Sequence, residues 1–208
     1  MLDTNRHDST RIFCVSTKVN ANPPVPQIWR NYNYPLGQSS RYPGSFRVNT
    51  KTSIRASTAA PTFFTPVQWE GGLYCDGALV ANNPTAIAVQ EAKALYPGVP
   101  IELVVSIGTG TFFQTTNVTS MGWDLLVGTL IASSTDTEDT HLLLADFLPT
   151  DMYYRFNPTM QNSFPIDEKS KDMLASLKTI AKDVFKEIEA NDPKRLDQLV
   201  KALRGKNE

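Results

Sequence analysis

Between Leu73 and Ile107 the chain passes through a short strand, a glycine bend, a helix and a second apolar strand. That succession restricts the fold more than any other stretch. Leu73–Cys75 reads as a very short strand, broken at Gly77. Asn83 suits a helix N-cap and Pro84 the first helical position. Ile87, Ala88, Ala92 and Leu95 recur at helical spacing, and Pro97-Gly98 ends the run. Ile101–Ile107 is almost continuously apolar, as expected of a strand buried on both faces of a parallel sheet. Strand, helix and strand make a βαβ unit, whose right-handed crossover sets the helix on one face. The expectation is an α/β fold with a mainly parallel sheet.

The flanking sequence adds few strands and many helices. Ile12–Thr17 and Ile28–Tyr32 read as strands on either side of a proline-rich turn, Asn22–Pro26. Pro35–Ser45 is a loop rich in Gly, Ser and Pro. Thr52–Ala59 is helix-compatible and stops before Pro61. Trp123–Ser133 and Glu138–Phe147 read as helices, and Met152–Phe156 as a strand. Met173, Leu174, Leu177, Ile180, Ala181, Val184 and Ile188 form the stripe of a long amphipathic helix. Leu196, Leu199, Val200 and Leu203 give a final short one. So few strands for so many helices imply that other strands of the sheet lie outside this chain.

Bulk properties exclude several classes. The 208 residues, 41% hydrophobic and 20% charged, suit one globular domain. A net charge of −1 gives no electrostatic case for nucleic acid or for strong attraction to an anionic bilayer. No apolar run is long enough for a transmembrane helix. The opening MLDTNRHDST is too polar for a signal-peptide core, and the closing RGKNE carries no lipidation address. Cys14 and Cys75 are read as free thiols in a reducing compartment. With His7 and His141 they supply too few ligands for a comfortable zinc site.

The residues that could carry chemistry centre on Asp76, at the end of a strand, where functional groups of α/β sheets gather. Gly77 behind it could adopt angles that other residues resist. Taken alone, an Asp-Gly turn is also an ordinary turn.

The wider context weighs further. Trp29-Arg30-Asn31-Tyr32, Ile54–Pro61, Asp76-Gly77-Ala78 with Asn82-Asn83-Pro84, Val105–Gly110, Thr135–Glu138 and Tyr153–Pro158 follow in one order. In that order they resemble the patatin-like phospholipases, and the calcium-independent phospholipases A2 among them. The likeness covers roughly residues 12 to 160, and the helical tail more weakly. It implies a three-layer α/β/α fold and a serine–aspartate dyad. The serine would sit in a G-x-S-x-G elbow, and the aspartate would open a D-G-A/G motif. By resemblance Asp76 is the general base, with Gly77 and Ala78 completing its motif. The implied reaction is acyl-ester hydrolysis on phospholipid or another acyl lipid, with no metal or cofactor. Peripheral membrane contact and an intracellular, cytoplasmic or membrane-associated location follow from the same likeness. Residues 1–160 would be the C-terminal portion of the catalytic domain and 161–208 a helical extension.

One departure is plain: no serine of this chain sits in a G-x-S-x-G elbow. Gly37-Gln38-Ser39-Ser40-Arg41 lacks the second glycine, and the glycine-rich oxyanion loop is absent too. The expectation is a fragment, truncated gene model or splice form that begins after both and is inactive alone. The alternative is a non-catalytic lipid-binding or regulatory remnant.

Smaller signals have bland readings. Gly108-Thr109-Gly110 lacks the Gly-Lys-Ser/Thr element of a phosphate loop. Ser57 reads as a packing or capping residue. Phe63-Phe64 and Phe112-Phe113 could line an acyl pocket, dip into lipid or pack in a core. Asn117-Val118-Thr119 is a chance glycosylation sequon, and His141 a capped or surface histidine. Asp136, Glu138 and Asp139 favour a helix N-terminus.

Overall fold

In a computed structural model of the chain, residues 10–111, 133, 136–160 and 164–204 are described. They fall into two compact units, the first within Met1–Pro100 and Met121–Thr140, the second within Ile101–Ser120 and His141–Glu208.

The first unit is built on five strands: β1 (Phe13–Lys18), β2 (Val25–Arg30), β3 (Gly44–Ser45), β4 (Val67–Trp69) and β5 (Gly72–Asp76). They lie in the order β3-β2-β1-β5-β4. β1 runs antiparallel to both β2 and β5, with Ser16 opposite Asp76, and β4 runs antiparallel to β5. β2 and β3 are parallel. The α/β class holds, but this sheet is mostly antiparallel rather than mostly parallel. Connection length explains two of the pairings. A parallel return needs a dozen or more residues, whereas the link from Lys18 to Val25 is half that. β4 and β5 are joined by Glu70-Gly71 alone, both with positive φ (43° and 73°). That is the backbone of the two-residue turn whose twist matches a hairpin.

Three helices accompany this sheet: α1 (Thr50–Ser57), α2 (Ala78–Ala81) and α3 (Thr85–Leu95). α1 starts two residues earlier than its sequence suggested, because the Asn49 side chain accepts the Thr52 N–H at 2.8 Å. Pro84 is the cap of α3 rather than its first residue, and the Asn83 side-chain oxygen accepts from the Thr85 N–H and hydroxyl. Trp29, Val48, Ala56 and Tyr74 form one core cluster. Trp29 meets Trp69 and Tyr74 edge-on, at 5.1 and 4.9 Å between ring centres. Such pairs add about 0.5–1.5 kcal/mol each beyond their burial. The indole N–H donates to Ser16 Oγ at 2.8 Å, so this buried ring leaves no polar atom unpaired. Val15, Ile28 and Ile87 form a second cluster, which joins α3 to the sheet.

The second unit pairs β6 (Val104–Ile107) with β7 (Tyr153–Phe156) in a parallel two-stranded sheet. β5 and β6 therefore belong to different sheets, and the expected βαβ unit does not form within one sheet. The strand in IELVVSI is shorter than expected and is not buried on both faces. Val104 and Ser106 are buried, whereas Val105 is 39% and Ile107 79% exposed. The strand alternates, with one face covered. α5 (Lys171–Asn191) and α6 (Pro193–Arg204) supply cover: Ile188, Leu196 and Leu199 pack with Leu103, Tyr154 and Phe156. The α5 stripe is half-buried at Met173, Leu177, Ile180, Val184 and Ile188, while Leu174 and Ala181 fall outside it. α4 (Glu138–Phe147) opens where the Asp136 side chain accepts the Glu138 N–H at 2.9 Å. The helix expected over 123–133 lies outside the described residues apart from Ser133. Among the described residues no helix is long and apolar enough to cross a membrane.

Candidate active site

β5 carries Asp76 to the point where the sheet ends and α2 begins. Its backbone is held on both sides. The Asp76 N–H donates to the Ala59 carbonyl at 3.0 Å, and its own carbonyl accepts the Thr17 hydroxyl at 2.6 Å. The side chain bends back over its own turn, where Oδ1 accepts the Ala78 N–H at 2.8 Å. This Asx-type bond fixes the carboxylate and starts α2. Among the described residues no cation pairs with it, and no hydrogen-bond donor reaches Oδ2.

Gly77 is required here for a reason other than the expected one. Its φ is −65°, an ordinary helical value. The constraint is close approach: a Cβ would lie 2.4 Å from the Val15 carbonyl oxygen of β1. Glycine lets the bend press onto the neighbouring strand.

Asp76, Gly77 and Ala78 are thus brought together, on the wall of an open cleft of about 340 Å³ that Phe13, Cys14, Ser57, Asn82 and Pro84 also line. The half-buried aspartate reaches this space from one side. Ser57 lines it too, with its hydroxyl committed to the Val15 carbonyl at 2.6 Å and its own carbonyl accepting from the Gly77 N–H at 3.4 Å. It braces the bend, in keeping with the packing reading. Burial raises both thiols above their ordinary range. For Cys75 the charge of Asp76 adds to burial; for Cys14 hydrogen bonds with Ser53 and Ser57 oppose it.

Other sequence candidates are placed elsewhere. Phe63 and Phe64 are exposed rather than packed in a core. Gly108 and Gly110 close on Asn157, whose side-chain oxygen accepts the Gly110 N–H at 2.8 Å. That is a structural strand end. His141 Nδ1 lies 3.1 Å from the Tyr153 hydroxyl in the second unit. Phe112-Phe113 and Asn117–Thr119 lie outside the described residues.

Sequence reasoning missed Glu91. It is 1% exposed, and its carboxylate accepts from the hydroxyls of Tyr32 (2.8 Å), Tyr34 and Ser40. A glutamate inside a helix reads as a solvent-face residue. The available signal was the pair of tyrosines in Asn31-Tyr32-Asn33-Tyr34, whose hydroxyls need buried acceptors.

Comparison with known proteins bears on this geometry. The family described as patatin-like phospholipase matches residues 1–89, a span that contains the aspartate bend. The calcium-independent phospholipase A2-gamma of Rattus norvegicus is 37% identical over 98% of this chain. The protein of the same name from Mus musculus is 36% identical over 93%. The chain belongs to the patatin-like phospholipase family. It is a partial domain of it, spanning about a quarter of the length of those relatives. Phospholipase A I of Arabidopsis thaliana is 33% identical over 71% of the chain and is matched over 14% of its own length. Both rodent matches cover more of the chain than residues 1–89 of the family match.

Proposed function

We propose that Asp76 is the general base of a serine–aspartate dyad that hydrolyses acyl esters of glycerophospholipids. The observation that carries this reading is a carboxylate fixed at a cleft wall with, among the described residues, no cation beside it and no donor on its second oxygen. Fixed position and a free lone pair are what a general base needs. Membership of a family of phospholipases supplies the substrate class.

On this reading a serine hydroxyl enters the cleft and gives its proton to Asp76 as its oxygen attacks the ester carbonyl. The activated hydroxyl becomes a far better nucleophile than serine alone. The lyso-lipid leaves, protonated by Asp76, and an acyl-serine remains. Water then attacks that acyl group, giving a proton to Asp76, which passes it to the departing serine oxygen as the fatty acid leaves. The 208 residues contain no G-x-S-x-G elbow, so residues beyond this sequence complete the dyad and the oxyanion hole. Residues 1–160 are then the C-terminal portion of the catalytic domain and 161–208 a helical extension, whose Ile188, Leu196 and Leu199 pack with β7 and Leu103. The protein would act in the cytoplasm or at a membrane surface.

The test uses a longer protein that includes the elbow. Asp76→Asn should lower phosphatidylcholine hydrolysis by about 10²–10⁴-fold, the usual worth of a positioned base, with no change in thermal unfolding. Undiminished hydrolysis refutes the assignment. The chain itself should not turn over a fluorogenic acyl ester, and robust turnover would refute the missing-nucleophile reading. The lack of an elbow also favours a second reading, a non-catalytic lipid-binding remnant. Transcripts with stop codons throughout the region upstream of Met1 would select it.

A further inference from the structure

The net charge of −1 conceals a strong segregation. From Ser9 to Trp69 there are seven basic residues and no acidic one, so the rest of the chain carries −8. Within this acid-free stretch lies the link from α1 to β4, where Pro61 to Pro66 are six consecutive exposed residues. Phe63 is 51% and Phe64 56% exposed, and Ile54 of α1 is 54% exposed. The loop is held in this form. The Phe63 and Phe64 N–H groups both donate to the Ala60 carbonyl. Arg55 spans to its far end, donating to the Thr65 carbonyl at 2.8 Å, with its guanidinium 5.1 Å from the centre of the Phe64 ring. Thr62 sits at φ +71°, which a β-branched residue adopts only at a cost.

One charge on α1 is equally ill-suited to stability alone. Its first turn has no acid and carries Lys51, against the preference of a helix N-terminus for negative charge. Lys51 and Arg55 stand one turn apart on α1, with Ile54 beside Arg55. Exposed aromatics with Arg55 over one ring and Lys51 a turn away match a membrane interface, where rings enter the acyl boundary and cations meet phosphate headgroups.

We propose that the Pro61–Pro66 loop and the adjoining Lys51–Arg55 face of α1 dock on an anionic phospholipid surface. The loop leaves the same segment whose Ala59 carbonyl binds the Asp76 N–H, so docking sets the lipid surface beside the candidate base. The choice of lipid over a protein partner rests on the phospholipase reading; the test does not depend on hydrolysis.

The test is co-sedimentation of the full chain with vesicles of phosphatidylcholine alone or mixed with phosphatidylglycerol. Binding to the mixed vesicles that weakens with added salt is expected. Phe63→Ala with Phe64→Ala should weaken it by roughly tenfold or more, because both rings leave the acyl boundary. Lys51→Gln should weaken it several-fold on mixed vesicles only. Near-ultraviolet circular dichroism confirms that the variants remain folded. As a second readout, a Phe64→Trp variant should be quenched by brominated acyl chains. No binding to mixed vesicles, equal binding by wild type and the double variant, or an unquenched tryptophan would each overturn the proposal. Self-association abolished by the same double variant, without vesicle binding, would assign the face to a second copy instead. Hydrolysis that survives in the longer protein while vesicle binding fails would refute docking alone. Vesicle binding that survives while Asp76→Asn retains activity would refute the base alone.

Discussion

Two carboxylates of the first unit sit less than twenty residues apart in sequence and in opposite surroundings. Glu91 of α3 is enclosed, with three hydroxyl donors from the stretch that follows β2. Asp76 faces a cleft, with a backbone N–H on one oxygen and, among the described residues, no donor on the other. A carboxylate offers about four lone-pair sites. Where neighbouring donors fill most of them, the group holds the fold together. Where most are left open toward a cavity, it is available to take a proton. The same contrast shows in the nearby phenols: burial first and Glu91 second push Tyr32 far up and Tyr34 to about 12.

The sharpest test of this contrast is to exchange the two losses. Glu91→Ala would leave the buried Tyr32 hydroxyl and the half-buried Tyr34 and Ser40 hydroxyls without their shared acceptor. It should cost roughly 1–3 kcal/mol, the worth of one buried orphaned group. Urea unfolding checks this, and Glu91→Gln should cost less because it keeps an acceptor. Asp76→Asn in the same assay should change stability by under about 1 kcal/mol, as expected away from buried networks. Equal losses would erase the distinction.

Gly77→Ala comes next. A Cβ 2.4 Å from the Val15 carbonyl must push β1 and α2 apart. Overpacking of this kind costs about 1–3 kcal/mol, read as a lowered urea midpoint.

A smaller effect is expected at high pH. The Tyr34 phenol is raised from 10.0 to about 12 in the fold, so the unfolded chain loses its proton first. Its stabilising contribution is present in full below pH 10 and is lost as pH rises toward 12. Tyr34→Phe should flatten part of that decline in urea midpoint against pH. The smallest effect concerns Cys75. Asp76→Asn should lower the Cys75 thiol pKa, which burial and the Asp76 carboxylate raise together. Alkylation rate against pH in a Cys14→Ser background reads the shift; no shift would leave burial alone as the cause.

What could be read from the sequence was what depends on neighbours along the chain. The α5 stripe, the α3 start near Asn83-Pro84 and the aspartate bend are all local patterns, and they stand close to where they were expected. Partner choice was less legible. Continuous apolar character in Ile101–Ile107 suggested a central strand, but a strand with one partner and one covered face can carry the same residues. β4 went unnoticed because Val67–Trp69 is three residues long, although the two-residue Glu70-Gly71 link marks a hairpin. Glu91 was invisible because its burial is decided by Tyr32, Tyr34 and Ser40, some fifty or more positions away. At the site, the aspartate was legible as a motif, while the reason for its glycine needed the adjacent strand.

The contact between Gly77 and Val15 has an implication for redesign. The Ala78 N–H holds the acid, and the missing Cβ of residue 77 lets the bend that carries this N–H lie flat on β1. Anyone wishing to turn the acid elsewhere would have to rebuild the rung of β1 together with the bend.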